Sequence, residues 1–141
     1  MTRILGLDIG DRRIGVALSD PQGILASPLS IINRSDEGLD TEAIVNIISQ
    51  YEVEQIVVGL PRSLDGSLGN QAEKVKDFIQ KLCSYVKTPL EFRDERLTTV
   101  SAKRLLHSAN TRKTRKRVWD DAVAAALILQ GYLDEGHRAD Q

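Results

Sequence analysis

The chain has 141 residues, 41% of them hydrophobic, which fits one globular domain able to build its core without staples. Cys83 is its one cysteine, so an intrachain disulfide and a thiolate zinc cluster are excluded; no apolar run approaches the ~20 residues of a membrane span, and the N-terminus lacks signal-peptide anatomy, so the expectation is a bacterial cytoplasmic protein with no membrane partner. The net charge of −1 hides an asymmetry: Arg96 to Trp119 holds eight Lys or Arg and no acid, while the remainder carries eleven basic and twenty acidic residues, which points to a local anionic partner.

Residues 3–10 and 13–20 read as an antiparallel hairpin turning at Gly10-Asp11-Arg12, with Gly10 suited to positive φ. Residues 27–33 make a third strand, in which Pro28 favours an edge or a strand start. SDEGLD opens a helix to about Tyr51, with Leu39, Ile44, Ile47, Ile48 and Tyr51 on one face. QIVVGLP, residues 55–61, is a short apolar run suited to a buried parallel strand. RSLDGSLGN is a loop by composition, and Asn70 is placed to cap the helix that carries Ala72, Val75, Phe78, Ile79, Leu82, Cys83 and Val86. LEFRDE, 90–95, alternates Leu90 and Phe92 inward with Glu91 and Arg93 outward. Thr98 or Thr99 caps a helix with Ala102, Leu105, Leu106 and Ala109. NTRKTRKR reads as a basic loop, and VWDDAVAAALILQGYL as a last helix, apolar almost all round and so buried. The order β-β-β-α-β-α-β-α-α predicts a mixed α/β sheet covered by helices on both faces, in one domain over 1–136 with a short tail at 137–141.

Three places put acids in or beside strongly apolar runs. Asp8 interrupts the first strand, Asp94 and Glu95 end the fifth, and Asp120 and Asp121 open the last helix. In open α/β sheets ligands gather beyond the carboxyl ends of the parallel strands, where these acids would meet if strands one, four and five are neighbours. Carboxylates brought together repel unless a proton or a cation neutralises one of them. Oxygen ligands without Cys and with little His suit Mg²⁺ or Mn²⁺, and such ions support phosphodiester hydrolysis. Each acid also has a plainer reading: Asp8 as an organiser of the hairpin, Glu95 as a partner of Arg93 or Arg96, and Asp120 and Asp121 as first-turn acids favoured by the helix dipole.

The segments LGLDIGDRRIGVALSD, VVGLPRSLDGSLGNQA, DERLTTVSA and DDAVAAALIL, in this order and spacing, resemble the YqgF family from Arg3 to about Tyr132. The resemblance implies a ribonuclease-H-like fold: a five-stranded mixed sheet, its first three strands antiparallel, flanked by helices. It also implies a Holliday-junction-resolvase-like nuclease that trims precursor 16S ribosomal RNA during ribosome biogenesis. Carried over by motif, the catalytic and metal-holding acids are Asp8, Glu95 and Asp121, with Mg²⁺ or Mn²⁺ as cofactor and precursor ribosomal RNA or ribosomal particles as partners. Junction resolvases of this superfamily usually carry an acid at the end of the fourth strand. Here that strand ends Val58-Gly59-Leu60-Pro61, which weighs against junction cleavage more than against nuclease chemistry.

The nucleic-acid-binding candidates are Arg62 in its glycine-rich loop, Arg96 beside Glu95, and Arg112, Lys113, Arg115, Lys116 and Arg117 in the basic run. With Trp119 the one aromatic beside it, that run suits phosphate tracking more than base stacking. His107 and His137 sit in no ligand pattern, and Cys83 reads as core. Three other readings stand beside the ribonuclease: a DNA junction resolvase, a non-catalytic RNA-binding assembly factor, and a nucleotide-binding lobe suggested by Asp8-x-Gly10 and Gly15. The last one needs a second lobe, which a single domain of 141 residues is not expected to hold.

Overall fold

The computed structural model describes residues 3–61, 69–94 and 113–139, with side chains over 3–61, 69–94 and 121–136. Strands β1 (Arg3–Ile9), β2 (Arg13–Ser19), β3 (Ala26–Asn33), β4 (Val53–Leu60) and β5 (Leu90–Asp94) form one sheet in the order β3-β2-β1-β4-β5. The first three pair antiparallel, and β4 and β5 run parallel to β1. This is the mixed sheet expected of the sequence. Parallel neighbours require crossovers, and α1 (Glu37–Gln50) and α2 (Asn70–Cys83) lie in the connections that lead to β4 and β5. Helix α3 (Lys113–Ala139) closes the described chain.

Period-2 alternation divides the strands between two cores. Leu5, Leu7, Ile9, Ile14, Val16, Leu18, Ile56, Val58 and Leu60 pack with Ile44, Ile48, Val75, Phe78 and Leu82 of α1 and α2. Ala17 and Val57 face the other way, onto Ala125, Ala126, Ile128, Leu129 and Leu133 of α3. The α3 side of the sheet carries small residues, and the helix sits correspondingly close. Pro28 lies in the edge strand β3, where the β2–β3 register shifts between Val16 and Ala17. A ladder position without an N–H is tolerated there.

Several local expectations need correction. Gly10 does not supply the positive φ. Among the described residues the glycine with positive φ is Gly23 (φ 69°), while Gly10 serves close approach: a Cβ there would lie 2.8 Å from the Arg13 carbonyl oxygen. The α2 cap is Gly69, with Asn70 as the first helical residue. Leu39 and Cys83 are exposed. In α1 the inward position beside Leu39 goes to Asp40, and Cys83 lies off the stripe of Ala72, Val75, Phe78, Ile79 and Leu82. At β5 Leu90 packs against the α1–α2 core and Glu91 is exposed, as expected, but the next two residues depart from the pattern: Phe92 is 41% exposed on the edge strand, and Arg93 is 9% exposed beneath α3. The basic run is not a loop over its second half. Lys113, Arg115, Lys116 and Arg117 belong to α3, since Lys and Arg favour helix and no Gly or Pro interrupts them. The helix expected over 98–109 lies outside the described residues.

The α1 start is built as its sequence implies. The Asp36 carboxylate accepts from the backbone N–H of Gly38 (2.7 Å) and Leu39 (3.3 Å), the ordinary side-chain cap. Arg34, just before it, joins three elements. Its Nη1 donates to the Gly10 carbonyl (3.0 Å), its Nε lies 3.4 Å from Asp40 Oδ2, and its guanidinium stacks 5.0 Å from the Phe78 ring. The Arg34 backbone N–H also donates to the Arg12 carbonyl (2.9 Å). The β1–β2 turn is therefore anchored to the start of α1.

Candidate functional site

Asp8 follows Leu7 and precedes Ile9, both buried against α1 and α2. Alternation turns Asp8 to the opposite side, toward α3, with Gly6. Its cross-strand partner is Gly15, and directly opposed residues share a face with Cβ positions ~4.5–5.5 Å apart. Gly15 is where α3 touches down: a Cβ there would lie 1.9 Å from the Asp121 carbonyl oxygen. Gly6 is a second notch, where a Cβ would lie 2.8 Å from Leu129 Cβ and 3.0 Å from the Ala125 carbonyl oxygen. Two glycines on one face thus let the helix approach the sheet, and the first brings the Asp121 peptide beside Asp8. The interrupted apolar run at the start of the chain is the strand side of this arrangement.

The Asp121 side chain is held by Arg13, whose Nε donates to Oδ2 at 2.6 Å. Arg13 shares parity with Gly15, so Asp8 and Arg13 lie on the same face at one end of the sheet, and Arg13 meets Asp121 there. Arg13 stands within the quoted motif, yet residue spacing assigned it no role. The signal lay in its two-residue offset from Gly15, which acquires meaning only once α3 is known to land there.

The C-terminal ends of β1, β4 and β5 lie side by side: Leu7 pairs Val58, Gly59 pairs Arg93, and Leu60 pairs Asp94. Arg93 anchors the end of β5 to α3. Its Nη1 pairs with Glu135 at 2.7 Å, and its guanidinium occupies the space where a Gly131 Cβ would meet it at 2.6 Å. Arg93 Nε is buried without a hydrogen-bond partner among the described residues. Glu95, Arg62, Arg96 and Arg112 lie outside the described residues. Lys113, Arg115, Lys116 and Arg117 occupy the turns of α3 that precede Asp121.

The structure therefore brings two of the three predicted acids to one place. Among the described residues no group of three or more His, Cys, Asp or Glu gathers in a metal-holding arrangement. A second polar feature lies at the α1–α2 end, a cavity of about 470 Å³ lined by Asp11, Arg34, Asp40, Lys74 and Asp77 among others. Its charges are largely matched, with Arg34 on Asp40 and Lys74 Nζ 3.6 Å from Asp11. No described helix is long and apolar enough to cross a membrane.

Comparison with known proteins agrees with this architecture. The RuvX family model, described as Holliday junction resolvase, matches residues 2–135. A Moorella thermoacetica protein named "Putative pre-16S rRNA nuclease" is 51% identical over 132 residues, 94% of each chain. A protein of the same name from Halothermothrix orenii is 49% identical over 132 residues, again 94% of each. Among solved structures, T. thermophilus RuvC in complex with a Holliday junction substrate aligns with a TM-score of 0.66 at 13% identity, covering 96% of this chain and 97% of that one. The fowlpox virus Holliday junction resolvase aligns with a TM-score of 0.55 at 13% identity, covering 95% and 99%. At such identity the likeness is one of fold, and that fold is the ribonuclease-H-like one. With a family match spanning almost its whole length and relatives near half identical, this chain belongs to the RuvX family, also called YqgF.

Proposed function

We propose that this protein is a divalent-metal-dependent nuclease that hydrolyses phosphodiester bonds in precursor 16S ribosomal RNA, with Asp8, Glu95 and Asp121 as its catalytic acids. The observation that carries the reading is the Gly15 notch, which seats the Asp121 peptide directly on the cross-strand partner of Asp8. The family match and the names of the Moorella and Halothermothrix relatives support the substrate class. The donor set fits a hard cation: Asp8 and Asp121 offer carboxylate oxygens on one face, with no sulfur ligand beside them among the described residues. Glu95 follows Asp94 at the end of β5 and completes the proposed set. When bound there, Mg²⁺ or Mn²⁺ supplies charge stabilisation and an activated water.

The protein's own residues do the positioning. The β1 ladder fixes Asp8 and the glycine notch fixes the height of Asp121. Arg62, Arg96, Arg112, Lys113, Arg115, Lys116 and Arg117 are proposed to grip the phosphate backbone. Four of these precede Asp121 within the same helix, so a strand tracked by the basic turns would be led to the acids. The single domain over 1–136 and a cytoplasmic setting belong to the same proposal.

The test is cleavage of a 5′-extended 16S precursor with Mn²⁺. Asp8→Asn is expected to abolish cleavage while leaving the circular dichroism spectrum and RNA retention intact. Equal cutting by Asp8→Asn, or an inert wild type, refutes the reading. A second reading, a DNA junction resolvase, is favoured by the description of the family model. It requires paired symmetric cuts and therefore a dimer on four-way DNA. Light scattering that returns one subunit's mass on junction DNA excludes it.

A further inference from the structure

We propose that Arg13 is the site's resident counter-cation: its guanidinium neutralises Asp121 beside Asp8 when no metal ion is bound, and it competes with a divalent cation for that carboxylate. The inference rests on the reading of this face as a cation-dependent nuclease site. Two carboxylates on one face repel when nothing positive stands between them. Arg13 is placed to answer that repulsion, with Nε 2.6 Å from Asp121 Oδ2, at the short end of charge-assisted hydrogen bonds. The pair is 31% and 32% exposed, so a hydrated ion can reach it from solvent.

Arg13 is not a free surface side chain. Its carbonyl accepts from the Gly10 N–H at 2.9 Å, and it is in register with Asn33 of β3. Arg34 ties the adjoining turn down through the Gly10 and Arg12 carbonyls. The guanidinium is therefore delivered from a fixed backbone, on the same parity as Gly15, to the acid that Gly15 seats. Arg13 acts through Asp121 and is a positioning residue, not a catalytic one.

The test measures Mn²⁺ affinity of the full chain by electron paramagnetic resonance, without substrate. Removing a like charge from beside the ion is expected to tighten Mn²⁺ binding by roughly three- to tenfold in Arg13→Gln. Arg13→Lys keeps the charge and is expected to bind Mn²⁺ as wild type does. A residue that merely held the fold would weaken binding or leave it unchanged, and either result overturns the proposal. A second measurement needs no variant. The Arg13 Nε–H signal in nuclear magnetic resonance is expected to exchange with solvent several-fold faster at saturating Mg²⁺, and unchanged exchange overturns the proposal. Wild type that binds neither ion sinks the metal-nuclease reading as well, whereas normal binding indifferent to Arg13→Gln sinks only the present one.

Discussion

Gly15→Ala tests whether the helix landing sets the site. A Cβ at position 15 would lie 1.9 Å from the Asp121 carbonyl oxygen, against a floor near 3.0 Å for real contacts, so one partner must retreat by about 1.1 Å. The obstacle is backbone, and no rotamer change relieves it. Residue 15 lies within the β1–β2–β3 ladder, so the movement falls on α3. Overpacking of this kind costs about 1–3 kcal/mol, partly offset by the ~0.5–1 kcal/mol that Ala gains over Gly in a strand. The larger effect is expected on rate: lifting Asp121 by an ångström away from Asp8 lowers cleavage by about 10²-fold. The control is Gly6→Ala. Its Cβ would meet Leu129 Cβ at 2.8 Å and the Ala125 carbonyl at 3.0 Å, at least one turn further along the helix from Asp121. It is expected to lose comparable stability and keep most of its activity. Single-turnover cleavage of the 5′-extended precursor, with urea melts of each variant, separates the two. Wild-type cleavage by Gly15→Ala, or an equal loss in Gly6→Ala, would show that the helix landing does not set the site.

Three further outcomes follow from the geometry. Arg34→Ala leaves Asp40, 3% exposed, beside the Ser35 N–H without its guanidinium; a loss of about 2–3 kcal/mol in urea unfolding is expected, with part of it recovered by adding Asp40→Asn. Glu52 holds a left-handed φ of 54° between α1 and β4, so Glu52→Gly is expected to stabilise by about 1 kcal/mol and raise Tm by about 3 °C; a fall in Tm would contradict the backbone geometry. The Asp20 carboxylate accepts from the Leu25 and Ile24 N–H groups, which hold its pKa below the ordinary aspartate value of 3.8. Its folded pKa is depressed, so the stability it adds is present above the unfolded value and is lost as pH falls through the folded one. The Ile24 and Leu25 amide shifts should therefore titrate together with a midpoint below 3.8, and a midpoint above it would show that those bonds are absent in solution.

Periodicity made the sheet legible. The apolar runs Ile4 to Ile9 and Ile14 to Leu18 and the continuous QIVVGL mark strands, and Pro28 favours an edge or a strand start, so a mixed sheet follows from the element order, while the neighbours of β1 come from the structure. The motif resemblance placed Asp8 and Asp121, and the glycine notch then gave the pairing a physical cause. What periodicity misread was what depends on the opposite layer. Phe92 and Arg93 alternate as expected, but which side is covered is decided by α3 and its Gly131 notch, neither visible from LEFRDE. Lys113 to Arg117 reads as a loop by charge, since charge runs are usually solvated, yet each residue except Thr114 is a good helix former. The role of Arg13 cannot be read from local spacing, because its partner lies 108 residues away.

Whether Asp8, Glu95 and Asp121 share one cation is decided by anomalous diffraction from crystals soaked in Mn²⁺. One peak within coordination distance, about 2 Å, of a carboxylate oxygen from each of the three is the predicted result. A peak bound elsewhere, or none on this face at saturating Mn²⁺, would contradict it.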